Sequence, residues 1–204
     1  MKVYFIRHGE SVDDIEDCYG GIADFPLTDA GREKTRGVAQ FLRSAGLQLI
    51  LTSPLARARE TADIIVKELG RDLPVREIDS LQERNAFGIL SGVNKELAAQ
   101  IFKRILSGLN ETPGSPSETL LGAEDFNEFI VRVQKAFNEV LEFAAAHGLK
   151  QVAVVTHGQF TQTLFERVLK IKDGVDLNLS AVNVIEYQPA VITLVQMAEP
   201  DRGA

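Results

Sequence analysis

Val3-Tyr4-Phe5-Ile6 runs straight into Arg7-His8-Gly9-Glu10-Ser11, and far along the chain Gln151-Val152-Ala153-Val154-Val155 runs into Thr156-His157-Gly158. Each is a short apolar, β-compatible run that stops at a histidine and a glycine, the pattern of a strand buried on both faces. Two parallel strands of this kind place both imidazoles on one rim of a sheet, the rim where open α/β sheets take their ligands. The order cation, imidazole, glycine suits an anion. The strand holds the ring, the guanidinium pairs with charge, and the glycine lets backbone approach closely. Taken alone Arg-His-Gly is a weak motif, equally readable as a strand end with a hydrogen-bonded histidine.

Outward from these two stretches, strands and helices alternate. Asp13 to Phe25 carries Asp13-Asp14, Gly20-Gly21 and Asp24 and reads as a loop over the first strand's carboxyl end. Thr28 is an N-cap for a helix that stops near Gly46, with Val38, Ala39, Phe41 and Leu42 as its apolar stripe. Leu47 to Leu51 reads as a second strand, after which Ser53 as N-cap and Pro54 at the first helical position open another helix. Arg57 and Arg59 on that helix are about 200° apart around its axis, so only one of them faces a given ligand. Pro74 to Ile78 is a further strand, and Leu81-Gln82-Glu83-Arg84 leads into a loop at Phe87 to Gly92. Phe126, Phe129, Ile130, Val133, Phe137, Val140 and Ala144 recur at helical spacing, with His147 and Gly148 at that helix's end. The Gly108 to Gly122 segment reads as a lid or a surface loop, and Val182 to Tyr187 with Val191 to Val195 as a closing strand pair. The alternation predicts an α/β sandwich.

Length and composition bound the function. At 204 residues one domain over 1–204 is expected, and 45% apolar with 25% charged residues is the balance of a soluble globule. No run approaches the roughly 20 apolar residues of a membrane span, and the first apolar run meets Arg7 too soon for a signal peptide. A single cysteine, Cys18, forms no internal disulfide, so a cytoplasmic protein without a membrane partner is expected. The net charge of −7 disfavours nucleic acid, while arginines focused in one cleft still hold a small phosphorylated ligand.

Five motifs now stand in order: RHGES at Arg7 to Ser11, PLTDAG at Pro26 to Gly31, TSPLARARET at Thr52 to Thr61, LQER at Leu81 to Arg84, and VTHG at Val155 to Gly158. Together they resemble the histidine phosphatase superfamily, also called the phosphoglycerate mutase-like family, across nearly the whole chain. The resemblance implies a three-layer α/β/α sandwich with a mostly parallel central sheet, a histidine nucleophile, no metal and no cofactor. It assigns His8 as nucleophile, Arg7, Arg57 and His157 to the phosphate pocket, and Glu83 as proton donor. Ser11, Asp14, Gly21, Lys95 and Gly158 are its further substrate-binding candidates. The chemistry agrees, because a transferring phosphoryl group spreads charge over oxygens that guanidiniums and an imidazole N–H stabilise. Glu10 and Arg84 are read as local ion pairs supporting the site.

The chain departs from the family pattern in places that bear on substrate. Many members have a phosphate-contacting asparagine seven positions after the motif arginine, and here that position is Asp14. The Glu83 to Gly88 stretch with Leu90, Gly92, Asn94 and Lys95 resembles the mutase form, one residue longer. The mutases' longer insertion with paired arginines is missing. The resulting expectation is hydrolysis of a small phosphomonoester through a phosphohistidine, by a monomer or homodimer. The alternatives are a 2,3-bisphosphoglycerate-dependent phosphoglycerate mutase and a non-catalytic phospho-ligand-binding module. The last would show as a lost nucleophile, arginine or acid, and none is lost.

Overall fold

The computed structural model describes residues 1–109, 121–188 and 191–195. Its strands are β1 (Lys2–Arg7), β2 (Leu49–Thr52), β3 (Val75–Glu77), β4 (Gln151–Thr156), β5 (Val182–Gln188) and β6 (Val191–Val195), in the spatial order β3-β2-β4-β1-β5-β6. The first four run parallel, β5 is antiparallel to β1, and β6 is antiparallel to β5. The mostly parallel sheet is thus present, with its antiparallel pair confined to one edge.

Period-two alternation sorts the side chains of the central strands between two cores. Val3 and Phe5 of β1, Leu49 and Leu51 of β2, and Val152 and Val154 of β4 face one layer. Tyr4, Ile6, Ile50, Ala153 and Val155 face the other. The first layer is covered by α5 (Phe126–Ala146) and α6 (Gly158–Thr163), whose Phe129, Val133, Phe137, Val140 and Phe160 are buried there. The second is covered by α2 (Asp29–Phe41) and α3 (Ala56–Leu69), through Val38, Ala39, Ala58, Ala62 and Ile65. Both faces are apolar because both are roofed, which is why the strands read as continuous hydrophobic runs.

Register decides where the histidines go. Arg7 pairs with Thr156 at the ends of the adjacent parallel strands β1 and β4, so His8 and His157, each the next residue, emerge side by side.

Several local expectations change. The stretch after Ser11 is not loop throughout: Val12–Ile15 forms a one-turn helix, α1, whose start is held by Asp14 Oδ2 accepting from Ser11 N at 2.9 Å. Ser53 does not cap α3. That helix begins at Ala56 after an extended Leu55, and its Ala56 N–H donates to the Asp24 carboxylate across 2.5 Å. Among the described residues Glu10 makes no ion pair; it accepts from the Thr28 hydroxyl at 2.6 Å, and Thr28 in turn caps α2 by accepting from Gly31 N. Gly31 is required by that close approach, since a Cβ there would sit 2.1 Å from Glu10 O. The predicted helix after Asn94 is α4 (Lys95–Leu109). Of the Gly108 to Gly122 segment, residues 110–120 lie outside the described residues, as does the chain after Val195.

Candidate active site

A cavity of about 290 Å³ opens at the carboxyl ends of β1 and β4. Its lining includes Arg7, His8, Arg57, Glu83 and Gly158, together with Asp13, Asp14, Gly21, Phe87, Gln159, Gln162 and Leu177.

His8 is 5% exposed, and its Nδ1 lies 2.7 Å from the Gly9 carbonyl. Its Nε2 accepts from Arg57 Nε at 3.2 Å. A guanidinium only donates, so the Nε2 lone pair is free of a proton and the proton sits on Nδ1. Burial, followed by the Arg57 charge, holds the His8 pKa well below the ordinary histidine range, while the Gly9 carbonyl pulls it upward and Arg7 adds to the depression. The ring is therefore neutral, with its lone pair directed by Arg57. Arg57 is fixed independently, donating to Ala23 O at 2.7 Å and to Gly21 O at 2.8 Å. Gly21 reaches this position at φ +53°, a left-handed conformation that glycine adopts without steric cost.

His157 is fully buried, its ring centroid 5.1 Å from that of His8. Its Nε2 lies 2.8 Å from Ser53 Oγ. Ser53 Oγ accepts from Leu55 N at 3.3 Å and keeps a second lone pair, so its contact with His157 Nε2 is compatible with either ring tautomer. His157 Nδ1 is buried without a partner among the described residues. Burial, then Arg57, His8 and Arg7, push this pKa well down too, which favours the neutral ring. Arg7 repeats the theme: its Nη1 donates to Leu177 O at 2.5 Å while Nε is buried without a partner. Its guanidinium lies flat on Gly158, where a Cβ would come within 3.0 Å of Cζ. Buried polar groups without partners are costly, and Arg7 Nε and His157 Nδ1, beside the Arg57 guanidinium and the His8 ring, form an arrangement that can hold an anion.

Glu83 sits at the amino-terminal end of α6. Its Oε2 accepts from Gln159 N at 3.0 Å, and Oε1 accepts from Phe160 N at 3.1 Å and Arg84 N at 2.9 Å. Burial raises its pKa, and this outweighs the three backbone N–H groups and Arg57, which favour the ionised form.

Of the sequence-derived candidates, the structure gathers Arg7, His8, Asp14, Gly21, Arg57, Glu83 and Gly158 around the cavity, with His157 against His8. Two candidates fall elsewhere. Lys95 pairs with Asp17 at 2.5 Å on the surface, because the start of α4 is bonded to the turn after α1, where Lys95 N also donates to Asp17 O. Ser11 is fully buried and does not line the cavity; its hydroxyl lies 2.6 Å from Asp13 Oδ1 and 3.1 Å from Asp14 Oδ2, serving the start of α1. Arg59 points outward, 3.7 Å from Asp24, as the 200° argument requires. Sequence reasoning missed Ser53, read as a cap, and Arg132, hidden in an amphipathic repeat. It also missed Leu177 to Ala181, where Ser180 N donates to His8 O at 3.1 Å and Arg7 N to Ala181 O at 3.0 Å.

The model of the histidine phosphatase superfamily (branch 1) matches residues 3–200. The chain belongs to this superfamily. Among its superfamily relatives, a 2,3-bisphosphoglycerate-dependent phosphoglycerate mutase from Cytophaga hutchinsonii is 29% identical over 186 residues, 89% of this chain and 85% of the relative. The uncharacterized phosphatase PhoE of Bacillus subtilis is 28% identical over 154 residues, 76% of this chain and 75% of its own. The crystal structure of phosphoglycerate mutase from Bacillus anthracis superposes with a TM-score of 0.78 at 26% identity, covering 97% of this chain and 92% of that one. The superfamily thus presents both a mutase and a phosphatase as comparisons for one architecture.

Proposed function

We propose that this protein hydrolyses a small phosphomonoester through a phosphohistidine on His8. The observation that carries the reading is the pair of buried nitrogens without partners among the described residues, Arg7 Nε and His157 Nδ1, beside a neutral His8 whose Nε2 lone pair is oriented by Arg57; the reading puts the ring proton of His157 on Nδ1.

In the first step the His8 Nε2 lone pair attacks phosphorus, the P–O ester bond breaks, and the leaving oxygen takes the Glu83 proton to depart as an alcohol. Arg7, Arg57 and His157 Nδ1–H stabilise charge on the equatorial oxygens. In the second step the Glu83 carboxylate takes a proton from water as its oxygen attacks phosphorus. The P–N bond breaks, its electron pair returns to Nε2, and inorganic phosphate leaves. A carboxyl that is protonated for the first step and a base for the second suits a raised pKa.

The mutase reading is supported by the names of the relatives. Charge supports hydrolysis instead: the cavity lining holds two cations, Arg7 and Arg57, against the carboxylates Asp13 and Asp14 and the carboxyl of Glu83. A phosphoglycerate brings a carboxylate besides its phosphate, and the bisphosphate a second phosphate, with no further cation among the described residues of that lining to receive either. The deciding assay incubates the protein with 3-phosphoglycerate and catalytic 2,3-bisphosphoglycerate, beside a panel of phosphomonoesters, and follows isomerisation and phosphate release together. Phosphate release from the panel without isomerisation is expected. Isomerisation outrunning phosphate release would replace this reading with the mutase.

A further inference from the structure

Glu83 works from an irregular stretch of chain, and α5 holds that stretch through one side chain. Arg132 Nη1 donates to Ser80 O at 3.0 Å and Gln82 O at 2.8 Å, and its Nη2 donates to Glu83 O at 3.2 Å. These carbonyls have no strand or long helix to pair with, so the guanidinium is what satisfies them. Its remaining donors make a two-point pair with Glu124, Nε to Oε1 and Nη2 to Oε2, both at 2.8 Å. Glu124 then grips the far side of the acid: its Oε2 accepts from Asn85 N at 3.3 Å and its carbonyl from Arg84 Nη2 at 3.0 Å. The backbone on both sides of Glu83 is thus fixed by one ion pair that lines no part of the cavity.

We propose that Arg132, braced by Glu124, is a positioning residue that sets where and with what proton affinity Glu83 meets the leaving group. The proposal rests on Glu83 being the general acid of the reaction above. A fork of five N–H donors matches three carbonyls and a carboxylate at once, which the single ammonium of lysine does not. Without the fork, residues 82–85 shift, the carboxyl leaves the Gln159 and Phe160 N–H groups, and water reaches it. A displacement of about 1 Å in such a group costs on the order of a hundredfold in rate. The site of damage is protonation of the leaving group, not binding of phosphate.

Leaving-group dependence reads this directly. An alkyl phosphate such as glycerol 2-phosphate needs a proton donor for its departing oxygen, whereas 2,4-dinitrophenyl phosphate departs without one. The readout is kcat/KM, which reports formation of the phosphohistidine and not its hydrolysis, where Glu83 also acts. In Arg132→Lys, kcat/KM for the alkyl ester is expected to fall about tenfold or more, while that for the dinitrophenyl ester falls less than about threefold. The basic limb of the alkyl-ester kcat/KM profile should also move to lower pH, because a hydrated Glu83 loses the burial that raises its pKa. Equal losses of kcat/KM on both esters, or none, would overturn the proposal. Should Arg132→Lys fail to fold, Glu124→Gln, which removes the brace and leaves the guanidinium, takes the same test. Glu83→Gln run beside them separates the two readings. If it too loses kcat/KM equally on both esters, the acid role itself fails and the proposal with it; if it loses kcat/KM only on the alkyl ester while Arg132→Lys loses it on both, only the positioning role falls.

Discussion

At the floor of the cavity, polar groups are buried, mutually oriented and supplied by the ends of β1 and β4 and the first turn of α3; at the rim they are carboxylates carried on α1 and amides carried on α6. His8, Arg57 and His157 are each 5% exposed or less, and every one is set by a neighbour with no freedom of its own: the Gly9 carbonyl, the Gly21 and Ala23 carbonyls, Ser53. Asp14 at the rim is exposed and spends its carboxylate on the backbone of Ser11. The floor has the donors a phosphoryl group needs and no surplus. The rim carries negative charge where a second anionic group would rest. The difference teaches that reaction type and substrate choice reside in different parts of one pocket.

Removing the proposed nucleophile tests that division most severely. His8→Ala is expected to abolish phosphate release from every ester in the panel while circular dichroism stays native. In the parent enzyme, acid-labile, alkali-stable phosphate should be trapped on His8 after quenching. Turnover surviving in His8→Ala would show that the floor is not the reacting centre.

A smaller effect follows from the floor's protonation. Folding depresses the pKa values of His8 and His157, so below their unfolded value near 6.5 the unfolded chain binds protons that the native state refuses. The stability they contribute is present above that pH and is lost as pH falls. Each histidine contributes a slope of up to about 1.4 kcal/mol per pH unit. Glu83, raised by folding, works in the opposite sense, gaining stability as pH falls through its raised value. Urea unfolding of His8→Gln between pH 6.5 and 5 should therefore show a slope shallower than the parent's by about one histidine's share. Parallel curves would mean that His8 binds its proton in the folded protein as it does in the unfolded chain.

The rim offers the mildest perturbation. Asp14→Asn removes a negative charge from the cavity lining, and inhibition by inorganic phosphate should tighten by about threefold to tenfold, the worth of one partly screened charge. Unchanged or weaker inhibition would mean that Asp14 acts only as the brace of α1, and the contrast between floor and rim would lose its electrostatic part.

Much of this was readable in advance, for definite reasons. The two histidine-ending strands, the amphipathic helix now seen as α5, the Thr28 cap and the division of labour between Arg57 and Arg59 follow from periodicity and local chemistry that act within a few residues. Ser53 shows the limit. Serine before proline is a good helix start, yet Leu55 is extended, Asp24 takes the first free N–H, and Ser53 turns to a histidine 104 residues away. Lys95 fails likewise: its distance from Glu83 along the chain suits the pocket, but α4 directs it to Asp17. Arg132 carried no local signal, since a charged residue on an amphipathic helix is ordinarily solvated.

By itself the sequence determined the alternation of strands and helices, the apolar runs of a doubly covered sheet and the residues that gather at its carboxyl edge, because these depend on side-chain period and on short-range backbone preference. Only the tertiary structure decided which nitrogen of His8 carries the proton, which buried nitrogens of Arg7 and His157 lack partners among the described residues and what holds Glu83 on α6. Those properties arise from hydrogen bonds between residues distant in the chain, whose directions exist only once β1 and β4 stand in register and α5 is packed against them.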